Sequence, residues 1–79
     1  MSKEELITRI RRIKGQVEGI ERMIDNRRSC LEIIQQISAA KSALAKIASQ
    51  MLTEEFCQID KKKKPKEFEQ IVEQLVKGV

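Results

Sequence analysis

The chain has 79 residues, with 16 Lys and Arg against 12 Asp and Glu for a formal net charge of +4, two cysteines and no histidine. That length suits one domain, taken as 1–79, with a core small enough to favour self-association, and the positive balance suits a polyanionic partner. The composition excludes zinc sites that mix Cys with His, argues against a disulfide scaffold, offers no apolar run near the roughly 18 residues of a membrane span, and fits a reducing cytoplasm.

In chain order, Ser2-Lys3-Glu4-Glu5 has the capping-box spacing and predicts a helix start. Leu6, Ile10, Ile13, Val17, Ile20 and Ile24 then alternate steps of four and three, a heptad seam that calls for a partner helix. Asp25-Asn26 followed by Arg27-Arg28 predicts the end of that helix, where cations are favourable.

Ser29-Cys30-Leu31-Glu32 is a second capping-box match, and no Pro or Gly interrupts the sequence from there to about Asp60. The expected second helix is a rod of roughly 45 Å. Its middle is small, with Ser38, Ala39, Ala40, Ser42, Ala43, Ala45 and Ala48, while Ile33, Ile37, Leu44, Ile47 and Met51 supply bulk. Small residues let helices approach closely, so self-association about this midpoint is expected. Lys61-Lys62-Lys63-Lys64-Pro65 reads as a linker. Phe68, Ile71, Val72, Leu75, Val76 and Val79 predict a short amphipathic third helix. The fold class is therefore all-α, with no strand signal and no internal repeat.

The densest chemical feature is Arg9-Ile10-Arg11-Arg12-Ile13-Lys14-Gly15-Gln16. At about 100° per residue, Arg9, Arg12 and Gln16 share one flank of the seam, with Arg11 and Lys14 elsewhere. Arginine forks match phosphate, and glutamine contacts phosphate oxygens or base edges. With no Trp or Tyr and only two Phe, there is no stacking platform for single strands, which favours duplex. Spacing alone is equally served by a solvated face with ordinary ion pairs, and the lysine run by a solvated loop. Cys30 opens the second helix beside Arg27 and Arg28, an environment that favours thiolate, although a buried apolar cysteine is the other reading. If one helix carries both Cys30 and Cys57, they lie about 40 Å apart, so any link between them has to join two chains. An enzyme is not expected, because the chain has neither histidine nor a glycine-rich phosphate loop and is too small to enclose a pocket.

The string from Arg9 to Ile20 resembles the RxxRIxGQxxGI signature of the CsoR/RcnR/FrmR family of bacterial repressors, and Ser29 to Ala40 resembles that family's C-x-x-[IV]-[IL]-x-Q-[IV]-[SA]-A segment. The resemblance covers almost the whole chain. It implies a three-helix subunit with a long second helix, an antiparallel four-helix-bundle dimer assembling to a tetramer, and binding to double-stranded operator DNA. It carries Arg9, Arg12 and Gln16 over as DNA-binding residues, and Lys14, Lys41 and Lys46 join them as further cationic candidates. It also makes Cys30 the sensing residue, with partners from the other subunit near the far end of the second helix.

Glu55 and Ile59 stand where copper sensors of the family have His and Cys, with Cys57 between them. Cys30 and Glu55 are thus the candidate metal ligands, a poor set for Cu(I), which wants soft sulfur and imidazole. Nickel and cobalt sensing needs several histidines and is excluded. Two cysteines without histidine resemble the dithiol, CstR-like branch, which implies release of DNA when Cys30 reacts with a sulfur or thiol-modifying species. Cu(I)-responsive and formaldehyde-responsive repressors are the alternatives within the family. A helical interaction module that never touches DNA is the alternative outside it.

Overall fold

The computed structural model describes residues 2–53 and 63–77, and these are helical throughout apart from their connections. The elements are α1 (Lys3–Asp25), α2 (Cys30–Thr53) and α3 (Pro65–Lys77). The expected three-helix, all-α subunit is what forms.

Both predicted caps exist. Ser2 is extended, and its Oγ accepts a hydrogen bond from the Glu5 amide at 3.1 Å. Glu4 and Glu5 lie in the first turn, where the helix dipole favours negative charge. The Ser29 Oγ accepts from the Glu32 amide at 3.2 Å, and the Glu32 carboxylate pairs with the Arg28 guanidinium.

Between the helices the chain reverses over residues 26–29. The Arg28 amide donates to the Met23 carbonyl at 2.9 Å and the Arg27 amide to the Ile24 carbonyl at 3.1 Å. This pair of bonds is the Schellman closure, which needs a left-handed residue at its centre. Arg27 fills that position with φ 52°, where glycine would be unstrained.

The second helix is unbroken from Cys30 to Thr53 and does not fold back near Ala43. The remainder of the expected rod, including Glu55, Cys57 and Asp60, lies outside the described residues. The proline after the lysines does not merely interrupt a helix. Pro65 is the first residue of α3, where its missing N–H is no loss and its fixed φ suits a helix start. The Phe68 amide closes that first turn on the Lys64 carbonyl at 3.1 Å.

α1 and α2 pack as an antiparallel hairpin along a single line. Leu6, Ile13 and Ile20, one heptad apart, are buried on α1, facing Ala40 and Ile47 on α2. Leu6, Ile13 and Ile47 form one cluster, with Ala43 and Met51 packed beside it. The other column of the seam stays open, since Ile10, Val17 and Ile24 are 45–58% exposed. Leu31, Ile34, Ile37 and Leu44 of α2 are exposed as well. α3 lies against α2 with Phe68, Ile71 and Leu75 half-buried and no residue fully buried. The molecule is elongated, 51 × 27 × 13 Å, with a radius of gyration of 15.6 Å, against about 12 Å for a globular domain of this length. Among the described residues, no helix is long and apolar enough to cross a membrane.

The left-handed arginine gives a direct test. Arg27→Gly removes the Cβ penalty at φ 52° and should stabilise the fold by roughly 0.5–1 kcal/mol, glycine's extra unfolded-state entropy offsetting part of the gain. Urea unfolding followed by circular dichroism reads this as a higher midpoint at unchanged slope.

Candidate functional site

The hairpin register gathers four of the six cationic-strip candidates around one shallow cavity of about 280 Å³ between α1 and α2. Arg9, Arg12 and Gln16 approach it from α1 and Lys46 from α2, over a floor of Ile13, Ala43 and Ile47. The floor belongs to the buried line of the hairpin, so core packing sets the spacing of the charged rim. Arg12 and Lys46 are exposed, while Arg9 and Gln16 are partly covered.

Arg9 is anchored across the interface. Its Nη1 donates to the Gln50 Oε1 at 2.8 Å, a partly buried bond between the two helices. Sequence reasoning did not single out Gln50. Its one local signal is that it follows Lys46 by one turn on the same face of α2.

Lys14 and Lys41 do not join the strip. Lys14 is two positions before Gln16 and therefore about 160° away around α1, and Lys41 is about 140° from Lys46 around α2. Both are exposed, and neither lines the cavity. Of the lysine run, Lys63 and Lys64 are exposed beside α3, with the Lys64 Nζ 3.8 Å from the Glu67 carboxylate. Lys61 and Lys62 lie outside the described residues. Toward the start of α1 the strip meets a second depression shared by Glu4, Glu5, Thr8, Arg9 and Arg12, so acidic side chains bound it there.

Cys30 is the first residue of α2, exposed and with a free thiol. Of its two arginine neighbours, Arg28 is engaged by Glu32. Among the described residues, no group of three or more His, Cys, Asp or Glu side chains is placed to hold a metal ion. The other sensing and metal candidates, Cys57 and Glu55, lie outside the described residues.

A rim of two guanidiniums, one ammonium and one amide suits anion binding. The sequence matches the family described as "Metal-sensitive transcriptional repressor" over residues 2–79. The chain belongs to that family. Among characterised relatives, it is 42% identical over 50 residues to the copper-sensing transcriptional repressor CsoR of Bacillus subtilis strain 168, covering 63% of this chain and 50% of CsoR. It is 44% identical over 52 residues to the copper-sensing transcriptional repressor RicR of Mycobacterium tuberculosis H37Rv, covering 66% of this chain and 54% of RicR. A third relative, the uncharacterized protein in the bioA 5' region of Serratia marcescens, is 39% identical over 49 residues, 62% of this chain and 54% of its own. The chain spans about half the length of the curated relatives it matches. No solved structure matches it. Membership in a family of repressors agrees with the expectation of a non-enzymatic chain.

Two glycines of the chain's first motif flank the strip without being needed by the chain's own packing. A Cβ on Gly15 would meet nothing within 4 Å, and one on Gly19 would meet only the Arg22 Nη2 at 3.7 Å. Gly15→Ala should therefore raise stability by about 0.5–1 kcal/mol through helix propensity alone. A thermal unfolding midpoint that fell would show that this face packs against something outside the single chain.

Proposed function

We propose that the chain is a transcriptional repressor that binds duplex operator DNA as a homo-oligomer and lets go when Cys30 reacts with a thiol-modifying sulfur species. The observation that carries the DNA half is the convergence of Arg9, Arg12, Gln16 and Lys46 at one cavity rim. Their N–H groups can donate to phosphate oxygens and fix a register, while Gln16 has the donor and acceptor pair that reads base edges. Lys14 and Lys41, on other faces of the hairpin, are contributors only where oligomerisation brings them to the same duplex.

Self-association is supported by surface area. The chain exposes 6580 Å², whereas a self-contained protein of 9.1 kDa exposes about 4,900 Å². The excess, on the order of 1,700 Å² per chain, is the size of an obligate interface. The open apolar column Ile10, Val17, Ile24 and the exposed Leu31, Ile34, Ile37 and Leu44 supply its chemistry. An antiparallel four-helix dimer, paired further into a tetramer, is the arrangement proposed.

For sensing, the exposed, free Cys30 supports attack on the outer sulfur of a persulfide. Its thiolate would form Cys30–S–SH and displace the donor's thiolate, and a second protein thiolate would then form a disulfide and expel HS⁻. The second thiol would come from another chain, because α2 alone separates Cys30 from Thr53 by about 35 Å, and the residues on to Cys57 recover at most about 14 Å. The remaining gap of about 20 Å exceeds the roughly 7 Å limit for bridged Cα atoms. Copper responsiveness is the second reading, favoured by the copper-sensing relatives. The donor set does not fit a sulfur and imidazole centre, since the sequence has no histidine.

Two measurements test these halves. Binding to a duplex selected by the protein from a random-sequence pool should weaken linearly in log–log with salt. Arg12→Ala or Lys46→Ala should each cost roughly tenfold in affinity and flatten that slope by about one, whereas an unchanged slope moves the interface elsewhere. Treatment with a persulfide donor should yield a cross-linked dimer on nonreducing electrophoresis and release the duplex. Cys30→Ser should abolish both, and release by Cu(I) alone would favour the copper reading.

A further inference from the structure

We infer that Gln50 is a positioning residue for DNA recognition, holding the Arg9 guanidinium at the rim of the cationic cavity with a neutral acceptor that leaves its charge available to phosphate. The inference rests on the duplex-binding reading above and names how one element of that site is built.

The geometry is specific. The Arg9 Nη1 donates to the Gln50 Oε1 at 2.8 Å, across the α1–α2 interface and partly buried. One bond uses one of arginine's five N–H donors, so the others remain for an anion. Arg9 is half-covered whereas Arg12 is exposed, so it is the more restrained of the two arginines. A long flexible side chain tied at one donor loses less rotamer freedom when it meets phosphate, and preorganisation of this kind appears as affinity.

The chemistry of the tether is what matters. A glutamate has the same length and would reach the same nitrogen, but as a carboxylate it would form an ion pair and cancel the field the strip offers to phosphate. An amide fixes the guanidinium without neutralising it. Gln50 therefore serves two requirements that a carboxylate would set against each other, a tie between helices and an uncompensated cation.

The test measures affinity and salt dependence for the pool-selected duplex, together with thermal unfolding, in the full chain. Gln50→Glu is expected to leave the unfolding midpoint equal or higher, to lower affinity by at least about tenfold and to flatten the salt slope by about one, as Arg9→Ala should. Gln50→Ala keeps the charge and loses only its orientation, so it should cost about threefold to tenfold with the slope unchanged, and should add nothing in an Arg9→Ala background. If Gln50 merely ties the helices, Gln50→Glu will bind DNA as the wild type does, and that result overturns the inference. Where Gln50→Ala fails to fold, the near-isosteric Gln50→Glu still decides. Loss of affinity with Arg9→Ala but none with Gln50→Glu rejects the positioning role alone. No loss with Arg9→Ala or Arg12→Ala rejects the duplex-binding reading and this inference with it.

Discussion

The line along which α1 meets α2 sets almost everything else in this molecule. Two helices in contact bury one stripe each, here Leu6, Ile13 and Ile20 against Ala40 and Ile47. Ala40 and Ala43 permit the close approach, and the bulk of Ile13 and Ile47 fills the line. The same register lifts Arg9, Arg12 and Gln16 from one side and Lys46 from the other onto a common rim. Packing and binding surface are thus one feature: a one-turn slip of α2 would move Gln50 by about 5.4 Å along the axis and part it from Arg9. A single line is also too little to enclose a core, which is why half of the heptad seam faces outward.

Much of this was legible in the residues. Ser2 and Ser29 marked both helix starts through their capping-box spacing, and each side chain accepts the bond that spacing predicts. The flank of Arg9, Arg12 and Gln16 followed from helical periodicity, and the family motifs named the same residues. Periodicity could not say how the seam would divide, because an apolar column looks the same whether it faces its own chain or another. Nor could it show that Gln50 meets Arg9, since that depends on the cross-helix register fixed by residues 26–29. The turn was hard to type because its left-handed position holds Arg27, where glycine or asparagine would have signalled it. Pro65 was read as a break although proline equally marks a first helical turn, and only the structure separates the two.

On the proposed reading, sensing and DNA binding are mechanically separate in one chain. Cys30 begins α2, and Lys46 lies about 24 Å further along it. Modification of the thiol therefore does not touch the cationic rim of the same subunit. Coupling has to pass through α2 as a rod or across to a neighbouring chain, and a shift between two arrangements needs an inducer that stabilises one over the other. An antiparallel partner makes the second route short, because head-to-tail pairing lays the Cys30 end of one α2 beside the far end of the other. The uninterrupted helix from Cys30 to Thr53 is the element such a mechanism requires.

The described cations differ in what holds them. Arg28 is paired with Glu32, Lys64 with Glu67 and Lys77 with Glu73, all exposed pairs of adjacent turns. Such pairs contribute little to stability but do neutralise the charge locally. Arg9 is held by an amide, and Glu4 and Glu5 share a second depression with Arg9 and Arg12. On the proposed reading, the guanidiniums and ammonium gathered at one concave rim attract a polyanion. A net charge of +4 spread evenly over 79 residues would attract DNA without orienting it. Three cations gathered at one rim, Arg9, Arg12 and Lys46, can on the proposed reading impose an orientation as well.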